Sequence, residues 1–175
     1  YSESLVAECF AVRIGGIAVE IDSTLDVMKL VVRDCHASIR AGISISDCPL
    51  AYLAQCQFLR CTSESTAGAM DIKRAKVDMH EVSFVDCQAG SFAGGVFIGG
   101  EYNSPPPKTQ DEIARVQLIN CTFLRCVCRN SDTMDVIGRG GAIYMNLLST
   151  VEMMGCSVID CITSSIFGYA YGGGV

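Results

Sequence analysis

Apolar and polar residues alternate along this chain in strand-length stretches, and the alternation recurs. Its clearest copy runs from Leu118 to Cys126 and ends on a cysteine. Counting back from the terminal cysteine of each copy, the third position holds Val6, Val32, Phe58, Phe84, Phe123 and Val158. The fifth holds Ser4, Leu30, Cys56, Val82, Cys121 and Cys156, and the eighth Tyr1, Val27, Leu53, Met79, Leu118 and Met153. The sixth is polar or glycine throughout: Glu3, Lys29, Gln55, Glu81, Asn120 and Gly155. Alternation over so few residues, rich in β-branched and aromatic side chains and broken at turns, predicts short strands rather than helices.

The terminal cysteines Cys9, Cys35, Cys61, Cys87, Cys126 and Cys161 follow one another at intervals of 26, 26, 26, 39 and 35 residues. A second marker, a small-residue pair followed by an apolar residue, keeps step with them. It occurs at Gly15-Gly16-Ile17, Ala41-Gly42-Ile43, Ala67-Gly68-Ala69, Gly94-Gly95-Val96, Gly140-Gly141-Ala142 and Gly173-Gly174-Val175. A strand such as Ile17 to Ile21 or Ala142 to Met145 is expected after each pair, with Gly16, Gly42, Gly68, Gly95 and Gly141 as the turn glycines. Fixed periods of this size denote a repeat architecture. A coil of roughly 26 residues cannot bury its apolar face alone, so it must stack on its neighbours at about 4.8 Å per coil. The expected fold is an all-β parallel β-helix of five to six coils.

The residue before each terminal cysteine is Glu8, Asp34, Arg60, Asp86, Arg125 and Asp160. From Asp34 onward the sign alternates. Stacked coils would make these side chains neighbours, so a charge ladder of Asp34, Arg60, Asp86, Arg125 and Asp160 is expected.

Regularity ends in the fourth coil. Insertions are expected at 99–114, which carries three consecutive prolines that cannot pair within a sheet, at 127–139 and at 162–171. Loops on a rigid scaffold often carry function. The chain starts inside a repeat and stops where another strand should begin. It is therefore expected to be one segment of a longer solenoid, or a unit that stacks end to end into a filament, so that open sheet edges are paired.

Composition narrows the chemistry. The 175 residues carry a net charge of −6 and a pI near 4.8, with no basic stripe, which argues against nucleic acid. No uncharged apolar run reaches the ~18 residues of a membrane-spanning helix. Nine of the eleven cysteines fall in two repeat columns, the terminal one and Cys56, Cys121 and Cys156. Stacked side chains run parallel about 4.8 Å apart, whereas a disulfide needs converging Cβ atoms near 3.8 Å. Free-thiol ladders are expected, with Cys48 and Cys128, outside both columns, the better candidates for a bridge or a reactive thiol. Zinc is disfavoured, because Cys126-Val-Cys128 is not a usual ligand spacing and His36 and His80 lie in other repeats. Asn120-Cys121-Thr122 is a possible N-glycosylation acceptor at an outward position.

The Gly-Gly-Ala-Ile stretch at 140–143, with Phe58-Leu-Arg-Cys61, Phe84-Val-Asp-Cys87 and Phe123-Leu-Arg-Cys126, resembles a known repeat family. In the polymorphic outer-membrane proteins of chlamydiae, and in many protist and algal surface proteins, a G-G-A-[ILV] tetrapeptide alternates with F-x-x-N. These belong to the wider pectin-lyase-like β-helix group. The resemblance spans the whole chain, and the departure is cysteine in place of asparagine. It implies right-handed winding and a cell-surface or secreted role in adhesion or a structural coat.

A catalytic β-helix would need acidic residues clustered across coils with a nearby Arg or Lys. Asp22, Asp47 and Asp71 align only loosely, and Asp132 and Asp135 lack a matched partner. The expectation is a non-catalytic structural or adhesive module without cofactor or metal, whose partners are neighbouring solenoid segments, other surface proteins or glycans. The alternative is a glycan-binding or polysaccharide-processing β-helix, with Tyr102, Phe167, Tyr169 and Tyr171 as stacking platforms.

Overall fold

The structure is a computed structural model, and it describes residues 4–20, 22–99, 113–130, 138–146, 149–165 and 170–171. The chain winds as a parallel β-solenoid with four walls, each a parallel sheet built from one short strand per coil.

The first wall stacks Ser4–Ala7, Leu30–Arg33, Gln57–Leu59, Ser83–Val85, Thr122–Leu124 and Ser157–Ile159. The second stacks Phe10–Ala11, His36–Ala37, Thr62–Ser63, Gln88–Ala89, Val127–Asn130 and Ile162–Ser165. The third contains Ile17–Glu20, Ile43–Ser46, Met70–Lys73, Val96–Ile98 and Ile143–Met145. The fourth contains Thr24–Met28, Leu50–Ala54, Lys76–His80, Ala114–Ile119 and Ser149–Met154. A small fifth sheet pairs Gly138–Arg139 with Ala170–Tyr171.

The inward columns are the ones the periodicity picks out. Val6, Val32, Phe58, Phe84, Phe123 and Val158 stack in register along the first wall. Val27, Leu53, Met79, Leu118 and Met153 do so along the fourth. Phe58, Phe84 and Phe123 are fully buried, with ring centroids 5.1 and 4.7 Å apart and ring planes within 11° and 8°.

At three of the four corners a left-handed residue turns the chain from wall to wall. Glu8, Asp34, Arg60, Asp86, Arg125 and Asp160 all have φ between 51° and 55°. Lys29, Gln55, Glu81, Asn120 and Gly155 form a second such column, and Asp22, Asp47 and Arg74 a third. This explains the invariably polar sixth position of the repeat. A left-handed corner reverses the inward–outward alternation and points its side chain to solvent, so polar residues and glycine suit it.

Three expectations change here. Val127–Asn130 and Ile162–Ser165 are wall strands paired with each other, and Ala114 opens a strand, so the insertions are narrower than 127–139, 162–171 and 99–114. The rest of those loops lies outside the described residues apart from Gly99, Ile113, Gly138–Arg139 and Ala170–Tyr171, as does Gly173-Gly174-Val175. The glycine column also shifts. Ile17, Ile43, Met70, Val96 and Ile143 are partners, so Gly16, Gly42 and Gly95 stack with Ala69 and Ala142, not with Gly68 and Gly141. The third coil spends one extra residue before its Met70 strand and recovers it at the Arg74 corner, which a count of residues to the next cysteine does not reveal. These glycines are needed for close approach: a Cβ on Gly16 would collide with the carbonyl of Gly42, and one on Gly42 with that of Ala69.

Candidate functional site

Ten of the eleven cysteines directly follow a left-handed corner residue, Cys128 being the exception. At that place the chain has just turned and the side chain re-enters the core, where Leu30 and Val82 stand in the same place after Lys29 and Glu81. The preceding strand's last carbonyl is left facing it. The thiol donates to that carbonyl two residues back, 3.4 Å for Cys35 to Arg33, 3.5 Å for Cys87 to Val85 and 3.3 Å for Cys56 to Ala54. It also reaches a carbonyl of the coil below, 3.6 Å for Cys61 to Val32, 3.5 Å for Cys126 to Phe84 and 3.6 Å for Cys121 to Met79. Cysteine combines small size, apolar character and a weak donor that can reach the facing carbonyl, which suits this corner.

All eleven cysteines are free thiols. Cys48 does not stand apart. It follows the Asp47 corner, is buried, and donates to Ser23 at 2.8 Å and to Leu50 at 3.3 Å, so it belongs to a third corner. Cys128 is buried on the second wall in register with Ala89 and Thr163. Burial pushes the Cys121 and Cys128 thiols up to about 11 and is also the first cause raising Cys56 and Cys87.

The charge column resolves into clamped pairs. The Arg60 guanidinium donates to both oxygens of Asp34 at 2.7 and 2.8 Å, and Arg125 does the same to Asp86 at 2.6 and 2.8 Å. These hydrogen bonds hold the Asp34 and Asp86 carboxyls below their ordinary value of 3.8. Arg60 also feels Asp86, and Arg125 feels Asp160, at longer range. A parallel clamp at the third corner joins Arg74 to Asp47 at 2.6 and 2.7 Å. Counting from the cysteines misses it, because the extra residue of the third coil moves Arg74 out of step.

Asn120 is exposed at a left-handed corner, φ 53°, with its amide bonded to Met154 at 2.8 Å and its side-chain oxygen over Gly155. Of the proposed stacking aromatics, Tyr102, Phe167 and Tyr169 lie outside the described residues, as do Asp132 and Asp135, while Tyr171 is placed on the strand Ala170–Tyr171.

The described residues bring a different cluster together, on the outer face of the third wall. Strand alternation turns Ser44, Asp71, Phe97 and Tyr144 outward in one column, yet Ser44, Asp71 and Phe97 are buried. Asp71 is fully buried and ion-paired to Arg40, which enters from the turn before the second-coil strand. Lys73 Nζ stands 3.8 Å from the same carboxylate and 5.9 Å from the Phe97 ring centre. Phe92, Phe97 and Tyr144 form a triangle of rings with centroids 5.5 to 5.7 Å apart. The Arg139 guanidinium lies 5.5 Å from the Phe92 ring centre and 5.4 Å from that of Tyr144, and donates to the Tyr144 hydroxyl at 2.8 Å. Sequence reading weighed Asp71 only as a loosely aligned acid and did not single out Phe92, Phe97, Tyr144 or the cations around it. The one available signal was an outward strand position occupied by Phe97 and Tyr144 in consecutive coils.

Comparison of the chain with protein families, with curated proteins and with solved structures finds no match to any of the three.

Proposed function

We propose that this chain is a non-catalytic structural or adhesive module, a stretch of solenoid in a cell-surface or secreted protein. The observation that carries the reading is where the repeat's charges go. In three corner clamps each Arg is spent on an Asp one coil away, along the solenoid axis, instead of converging with other polar groups on a substrate. Thiols, rings and ions all tie coil to coil, which suits a rod that bears load or presents a surface. The Gly-Gly-Ala-Ile and Phe-x-x-Cys motifs support the same reading through their resemblance to chlamydial and protist surface repeats of the pectin-lyase-like group.

The proposed partners are further solenoid coils, end to end, from the same chain or another copy. Burial of eight of the eleven thiols allows their free form to persist in an oxidising exterior. The test has two arms. Light scattering at micromolar concentration should show association that grows with concentration. Incubation with a polysaccharide panel, with and without calcium, should release no unsaturated or reducing products; release of either would overturn the non-catalytic reading. A second reading, glycan binding, is favoured by the cationic and aromatic cluster on the third wall.

A further inference from the structure

The cluster on the third wall lines a half-open cavity of about 260 Å3. Phe92, Phe97 and Tyr144 line it together with the cations Arg13, Arg40 and Lys73. We propose that this cavity is a binding site for a carboxylate borne on a six-membered ring, the ring lying against the aromatics and the carboxylate meeting the cations. The proposal goes beyond the structural reading above and does not depend on it.

Charge is the first argument. The chain as a whole is acidic, with a net charge of −6. Around this cavity the balance reverses. Among the described residues, the three cations Arg13, Arg40 and Lys73 face one carboxylate, Asp71, which lies fully buried beneath. Asp71 is engaged by Arg40 and Lys73 together, which holds their charged ends beside the cavity instead of out in solvent. Lys73 is only 6% exposed, and a buried ammonium next to a further cation favours an incoming anion. Arginine at the mouth suits a carboxylate, which it can meet with two parallel N–H donors.

Size and shape are the second argument. Drug-sized ligands occupy cavities of roughly 300–1,000 Å3, so a site just below that range suits a single ring. The aromatic triangle supplies a flat apolar wall for one face of that ring. The Thr66 and Asn146 side chains also line the cavity and offer hydrogen bonds to ring substituents. The wall is stiff: Phe97 is buried, and the Arg139 guanidinium bridges the Phe92 and Tyr144 rings from outside the cavity. A rigid wall binds with less ordering cost than one assembled on demand.

Two sources share this chemistry, a sugar acid unit of a glycan and an aromatic acid, and the experiment separates them. Isotope-labelled full-length chain is titrated at low salt with methyl glucuronide, with benzoate and with neutral methyl glucoside, and amide shifts are followed by NMR. The expected result is saturable shifts at residues 96–98 and 143–146 with at least one acid and none with methyl glucoside. Tighter binding of glucuronide identifies a sugar acid, and tighter binding of benzoate an aromatic acid. Arg13→Gln, at an exposed position, should weaken binding about tenfold, the value of one charge-assisted hydrogen bond. Tyr144→Leu should weaken it with an unchanged far-UV spectrum. Arg125→Gln, which makes the same charge change at the first corner, should leave it unaltered. An equal response to methyl glucoside, shifts elsewhere, no saturation with either acid, or unchanged affinity in Arg13→Gln would each overturn the proposal.

Discussion

The stack of Phe58, Phe84 and Phe123 offers the sharpest test of how the coils are held together. Phe84 is fully buried and lies between two nearly parallel rings, 5.1 Å from Phe58 and 4.7 Å from Phe123. Phe123 has a ring on one side only, because its other partner is Val158. Replacing Phe84 with leucine preserves most of the volume and removes both ring contacts. Each such contact contributes about 0.5–1.5 kcal/mol beyond area burial, so Phe84→Leu should cost about 1–3 kcal/mol and Phe123→Leu about half of that. Phe84→Ala adds a cavity in the middle of the core, and the total should reach about 3–5 kcal/mol. Urea unfolding followed by far-UV circular dichroism gives these differences, provided the slope is unchanged between variants. A Phe84→Leu cost no larger than that of Phe123→Leu would refute the reasoning, since the rings would then be filling space without stacking.

Other outcomes follow from the corners. Gln55 holds φ at 54°, so Gln55→Gly should stabilise by up to about 1 kcal/mol despite losing its exposed bond to Glu81, whereas Gln55→Val should destabilise by more; equal melting temperatures would show that the left-handed corner carries no strain. The Asp34, Asp47 and Asp86 carboxyls are depressed below 3.8 first by their hydrogen bonds to Arg60, Arg74 and Arg125. Their contribution is therefore fully present above about pH 4 and is lost as pH falls through the folded-state values. The melting-temperature gap between the wild type and Asp86→Asn should close over that window and shrink with salt; a gap independent of pH would exclude the clamp. Arg60→Asp should disrupt one clamp, with Asp34, and add repulsion towards Asp86, which a low-salt melt reads as a lowered transition. Cys61 and Cys87 should resist alkylation in the folded protein while partly exposed Cys161 reacts first, and all eleven should react after denaturation without reductant; a bridged Cys61 detected by mass spectrometry would overturn the thiol ladder.

The sequence by itself determined the class of fold, because a solenoid's core is written locally. Each inward position, such as Phe58, Phe84 and Phe123, recurs at a countable distance from a cysteine, and stacking pairs like with like. The polar sixth position and the charged column were legible as patterns, but their cause was not. Backbone dihedrals bind Lys29, Gln55, Glu81 and Asn120 into a left-handed corner, and no count of residue types displays a φ angle. Cys48 looked solitary for the same reason: its kinship with Cys35 and Cys56 lies in the corner before it. Register slips were equally hidden, since the third coil gains a residue before Met70 and loses it at Arg74 while the cysteine spacing stays constant. The third-wall cavity depended on tertiary structure most of all. Arg13, Arg40, Lys73, Phe92, Phe97 and Tyr144 come from successive coils, with two insertions between Phe97 and Tyr144, and only the lateral stacking of coils brings them within reach of one another.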